Sequence, residues 1–132
     1  MPLRYGVSAA TPAGATASEV PLWLDDRASL ENGAAVVASA TFVPSVTLAT
    51  NANNPTLTLA KRTAGGAAVT LATLNLTSTA LTAWTPVSMT LTATTANLTL
   101  SPGDVLTWAL TTNGAGGVNP QAGYVFADIT RS

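Results

Sequence analysis

The sequence predicts an all-β chain: an antiparallel β-sandwich or jelly roll of about seven or eight short strands behind an extended N-terminal arm. Three observations carry that prediction. Apolar residues alternate with threonine at a period of two through most of the chain, as in Leu57 and Leu59 against Thr56 and Thr58. Turn chemistry punctuates the runs at short intervals, at Asn51–Pro55, Ala64–Gly66, Ser101–Asp104 and Asn113–Gly117. No sustained helical period runs through the chain, and the abundant threonine, stiff at χ1, favours extended backbone over helix.

Taken in order, the first element is the arm, residues 1–33, which is rich in Ala, Pro, Gly and Ser and holds Glu19, Asp25, Asp26 and Glu31, four of the six acids. Ser8–Ser18 has little to bury, and Pro12 and Gly14 disfavour regular structure, so it reads as an extended segment or loop. Pro21–Leu24 is a compact apolar plug within it. The body, residues 34–132, begins with a strand pair, Ala34–Val43 and Ser45–Thr50, broken by Pro44. Thr56–Leu59 follows, and then Val69–Leu76, where the apolar phase changes between Leu71 and Leu74 as a β-bulge would require. Val87, Met89 and Leu91 alternate with Ser88, Thr90 and Thr92, and Leu98 and Leu100 flank Thr99. Leu106, Trp108 and Leu110 form an inward phase. Tyr124–Ile129 is apolar in both phases at first, which predicts a strand covered on both sides for part of its length. Pro102 and Gly103 suit the two central positions of a type II turn, with Gly supplying the positive φ and Asp104 bonding to backbone amides.

Composition narrows function. The 132 residues, about one domain's worth, are 47% hydrophobic and 8% charged, with a net charge of −1. Ordinary domains are about 25% charged. So little charge offers no basic footprint for nucleic acid or anionic lipid. Met1–Val7 lacks a charged segment followed by an apolar run, so no secretory leader is expected. No stretch approaches the roughly 18 apolar residues of a membrane span. With no His and no Cys, the commonest general base, the commonest metal ligand and all thiol chemistry are missing.

The remaining chemical candidates are weak. A serine nucleophile would need Lys61, the only lysine, or a carboxylate as its base; beside Arg62 at a strand end, Lys61 reads better as a solvated basic terminus. Asp25 and Asp26 point to opposite sides of an extended strand, unlike carboxylates facing across a glycosidase cleft. Calcium would need six to eight oxygens, so they read as solvated acids flanking a short turn. Asn113–Gly117 has the composition of a phosphate-binding loop but joins two strands where such a loop must open a helix, and reads as a hairpin loop. Asp128 alternates out of the last strand, with Arg131 as a possible partner in reach. No catalytic, cofactor-binding or metal-ligating residue is therefore expected.

The three tryptophans divide differently. Trp108 falls on an inward phase and reads as core. Trp84, between Leu81 and Pro86, fits core, interface or a sugar-stacking platform equally well. Trp23, flanked by Leu22 and Leu24 outside the strand pattern, either folds back on the body or docks on a partner, consistent with the enrichment of Trp at binding hot spots. The outer sheet faces carry Thr, Ser, Ala and Asn in place of charges, so they cost little to desolvate, and charge is depleted at interface cores in general. The same feature favours edge-to-edge strand pairing unless a partner or oligomer covers the edges.

Three segments together resemble the head decoration (cement) proteins of tailed bacteriophages. They are Thr56–Gly66, Ala96–Leu106 with its Gly103-Asp104-Val105-Leu106, and the Gly-rich Thr112–Gly117 followed by Pro120 and the closing Tyr124–Ile129. The resemblance covers residues 34–130 and not the arm, and departs at Ser101-Pro102. It implies a small β-sandwich, commonly a homotrimer, bound to the major capsid protein on the outer surface of the virion after synthesis in the bacterial host cytoplasm. It brings no catalytic residues and no cofactor. On this reading Leu22, Trp23 and Leu24 form the capsid or inter-protomer contact. The alternative is a carbohydrate- or receptor-binding module of a virion tail or spike, with Trp84 and the loops Asn51–Pro55 and Asn113–Gln121 as a shallow glycan site.

Overall fold

The computed structural model describes residues 3–10, 18–25, 35–120 and 123–131. Within them the chain forms ten strands: β1 Leu3–Ala10, β2 Ser18–Leu24, β3 Ala35–Pro44, β4 Thr56–Arg62, β5 Val69–Asn75, β6 Val87–Ser88, β7 Thr90–Leu91, β8 Thr99–Leu100, β9 Val105–Thr111 and β10 Gly123–Arg131. A single 3-10 turn, Thr95–Leu98, precedes β8. All pairings are antiparallel. One sheet has the order β1-β10-β3-β6, with β8 also on β3, and the other β2-β9-β4-β5-β7. The arm thus supplies an edge strand to each sheet.

Alternation places the core between the sheets. Phe42, Val125, Ala127 and Ile129 from the first sheet meet Leu57, Leu59, Leu74, Leu106, Trp108 and Leu110 from the second, all buried. Phe42 and Trp108 stack across the interface with ring centroids 5.9 Å apart, an arrangement that adds to their area burial. Three bulges set the phase. On β5 the partners of Leu59 and Ala60 are Ala72 and Thr70, so Leu71 is the extra residue and both Leu71 and Ala72 are buried, which is the phase change legible in the sequence. On β3 the register with β10 skips Ala38, so Ala35 and Val37 face the core and, after it, Ala40 and Phe42. On β2 it skips Leu22, between Pro21 and Trp23. Pro21 is tolerated because β2 is an edge strand.

Several expectations are corrected. Ser45–Thr50 is not a strand; after Pro44 the chain makes only an isolated bridge, Leu48 to Leu81. Val87–Leu91 is not one strand either. It crosses between the sheets at buried Met89, whose N–H is held by the Ala40 carbonyl at 2.9 Å, so β6 joins one sheet and β7 the other. Asn113–Gly117 is not a hairpin loop, because β9 and β10 belong to different sheets and the segment is a crossover. Asp25 is buried, not solvated: its N–H bonds to the Asp104 carbonyl at 2.8 Å and its carbonyl accepts from Gly103 N–H at 2.6 Å, drawing the end of β2 onto the Ser101–Asp104 turn. That turn has the expected form, with Gly103 at φ +91° and Asp104 N–H on the Ser101 carbonyl at 3.0 Å.

Candidate functional site

The largest departure from expectation lies on the last strand. Tyr124–Ala127 is apolar in both phases before Asp128 follows on the outward one, yet only the inward phase is covered; Tyr124 is 59% and Phe126 44% exposed. Both project from the outer face of the first sheet. In register, Tyr124 lies between Ala10 of β1 and Val43 of β3, and Phe126 between Ser8 and Thr41. Thr41 in turn pairs with Ser88. Thr41, Val43, Pro86, Tyr124 and Phe126 line an open groove of about 370 Å³ with no charged side chain in it.

Trp84 stands beside this groove and is 74% exposed, the most exposed of the large apolar side chains among the described residues. Its backbone is fastened to the end of β3: Trp84 N–H bonds to the Pro44 carbonyl at 2.8 Å, next to Val43, and Pro86 two residues on lines the groove. It is the third residue of a turn closed by Thr85 N–H on the Thr82 carbonyl at 3.1 Å, and its φ is +62°. Bulky residues rarely occupy this left-handed region. Of the three roles open to Trp84 in the sequence, burial in the core is excluded.

The loops at this end of the sandwich are set by one buried side chain. Asn54, fully buried, donates from Nδ2 to the carbonyls of Ala49 at 3.0 Å and Leu76 at 3.3 Å, and accepts from Val118 N–H at Oδ1 at 3.0 Å. Asn113 Nδ2 bonds to the Asn54 carbonyl at 2.8 Å and to Thr56 Oγ1 at 2.9 Å. The crossover is thereby clamped to Asn51–Asn54, and Gly117 passes so near the Asn53 carbonyl that a Cβ has no room. The two loops of the alternative glycan site are thus joined to each other.

The plug of the arm is placed as follows. Leu22 is half-buried and packs against the core, Leu24 is 51% exposed, and the side chain of Trp23 lies outside the described residues. Trp23 and Leu24 pair with Leu106 and Val105 on β9, at the end of the sandwich opposite Tyr124. That opposite end also holds Lys61, Arg62 and Asp104. Lys61 Nζ donates to the Thr99 carbonyl at 2.5 Å and so latches one sheet to the other. Arg62 pairs with Glu19 at 2.8 Å and also donates to the Gly66 carbonyl at 2.8 Å, while Thr107 Oγ1 bonds the other Glu19 oxygen at 3.3 Å. Asp104 accepts from Thr63 Oγ1 at 2.7 Å and Ser101 N–H at 2.9 Å. These groups hold strands together, and among the described residues no three His, Cys, Asp or Glu side chains cluster as metal ligands.

The site that results is a contact surface of aromatic rings and hydroxyls whose groove lining carries no charge. Sequence reasoning missed Tyr124 and Phe126. The available signal was the doubly apolar β10, which fits a covered strand and an exposed aromatic face equally well. Comparison of the chain with models of protein families, with curated proteins and with solved structures found no match.

Proposed function

We propose that the chain is a structural binding protein: a decoration protein that sits on the outer surface of an assembled phage head, bridges neighbouring major capsid subunits and stabilises the shell, with a homotrimer as the working unit. The observation that carries the binding role is the exposed aromatic surface of Trp84, Tyr124 and Phe126 around a groove whose lining carries no charge; the capsid as partner rests on the resemblance of residues 34–130. Such a face loses little on desolvation, because it has no charge to strip of water. A chain that binds the closed lattice better than separated subunits stabilises the lattice by mass action, and copies linked by symmetry add avidity. Leu24, exposed on β2, offers a second contact at the other end of the molecule, where the arm was expected to anchor.

Quantitative mass spectrometry of purified particles tests this reading by counting the chain against the major capsid protein. A ratio within a few-fold of one to one is expected. Absence from particles overturns the reading. A few copies per particle instead supports the second reading, a carbohydrate-binding module of a tail or spike, which the 74% exposure of Trp84 favours. In that case glycan-array binding is abolished by Trp84→Ala.

A further inference from the structure

We infer that the groove between β10 and β3 is a docking site for an uncharged, proline-containing segment of a partner protein in the polyproline II conformation. This inference concerns the groove's ligand chemistry and does not depend on the partner being a capsid subunit.

Three features of the site select that occupant. The first is charge: the lining of Thr41, Val43, Pro86, Tyr124 and Phe126 is neutral, and Asp128, next on the outward phase of β10, already interacts within the chain, so a charged segment would lose hydration with nothing in the lining to replace it. The second is spacing. Tyr124 and Phe126 are two residues apart on one strand, which separates their attachment points by about 7 Å. Two residues of a polyproline II helix advance about 6 Å, so a proline can seat between the rings while its neighbour turns outward. The third is the polar inventory. The Tyr124 and Thr41 hydroxyls and the Trp84 indole N–H have no hydrogen-bond partner among the described residues. All three can donate. A proline-rich segment is nearly devoid of N–H groups and offers carbonyls, so donors are what it needs. A sugar chain presents many hydroxyls that both donate and accept; the Tyr124 and Thr41 hydroxyls can meet two of them, and the lining has no carboxylate or amide side chain for the rest.

The backbone at Trp84 adds an independent indication. A turn position at φ +62° is better filled by glycine or asparagine. Strain of this kind gathers at ligand clamps. Here it carries a largely exposed indole on a turn whose backbone is fastened next to the groove, from which the ring can swing to clamp a docked segment and where it contributes nothing to the core.

The test is a heteronuclear NMR titration of the full chain with a ten-residue polyproline peptide, alongside a Gly-Ser peptide of equal length, a neutral β-linked hexasaccharide and zwitterionic phosphatidylcholine vesicles. Expected are saturable shifts on β10, β3 and the Trp84 turn with polyproline alone. Tyr124→Ala and Trp84→Gly, each with an unchanged circular dichroism spectrum, should weaken binding about tenfold or more. Thr90→Ala, on the other sheet, should leave it unchanged. No shifts with polyproline at millimolar concentration overturn the inference. So do equal shifts with the Gly-Ser peptide, shifts at the groove with the hexasaccharide or vesicles alone, and shifts there that depend only on the protein's own concentration.

Discussion

Trp84 holds an indole in solvent on a backbone that glycine would occupy without strain. A non-glycine residue in this region costs about 1–2 kcal/mol, and glycine returns about 0.5–1 kcal/mol of that as extra freedom in the unfolded chain. Trp84→Gly should therefore stabilise the fold by about 0.5–1 kcal/mol, a rise of a few degrees in Tm; a calorimetric Tm at or below that of the parent would show that the ring supports the fold instead. Asn54 is the opposite case. Its fully buried side chain satisfies two carbonyls and one N–H, and Asn54→Ala leaves the buried Leu76 carbonyl without that partner, while the more exposed Ala49 and Val118 groups can turn to water. A loss of about 1–3 kcal/mol is expected, read as a lower urea midpoint, and a loss under about 0.5 kcal/mol would mean that water replaces the amide throughout. Neither role was legible in the sequence. Nothing local distinguishes Asn54 from Asn51 or Asn53, since burial depends on Ala49, Leu76 and Val118 arriving from other parts of the chain.

Among the elements, the crossover from β9 to β10 and the edge strand β2 behave differently under substitution. Gly117→Ala places a methyl group against the Asn53 carbonyl, where backbone faces backbone and no flexible side chain can yield. A cost of about 1–3 kcal/mol follows, checked by chemical denaturation; an unchanged midpoint would show that the crossover can shift. On β2, Glu19 reaches past β9 to Arg62 of β4, but both side chains are about a third exposed and the pair is worth at most about 1 kcal/mol. Glu19→Gln should lower stability by no more than that, and the difference from the parent should fade in high salt. A salt-independent loss would point to the Thr107 hydrogen bond as the larger contribution. The long strands were legible because alternation at period two survives from sequence to sheet, as in β4 and β9. The split of Val87–Leu91 was not. The alternation continues through Met89, and only the presence of β3 on one side and β5 on the other sends the two halves to different sheets.

At the scale of the molecule, two interdigitating sheets bury the aliphatic phases and leave outer faces almost free of charge. Phe126→Lys alters neither the core nor the register, since residue 126 projects outward. It should leave the melting curve within about 1 kcal/mol of the parent. Retention on purified particles, measured by quantitative mass spectrometry, should fall. Undiminished retention would remove this face from the proposed lattice contact and leave Leu24 and the arm as the remaining candidates. The antiparallel architecture, the inward residues of β4 and β9, and the turn at Pro102-Gly103 were determined by the sequence alone, because each depends on neighbours within a few positions along the chain. Tertiary structure decided which apolar phase of β10 was covered, which asparagine was buried, and that the turn at Trp84 stands beside Val43 and Pro86. Those outcomes depend on which strands become neighbours, and local periodicity carries no information about the identity of a neighbour.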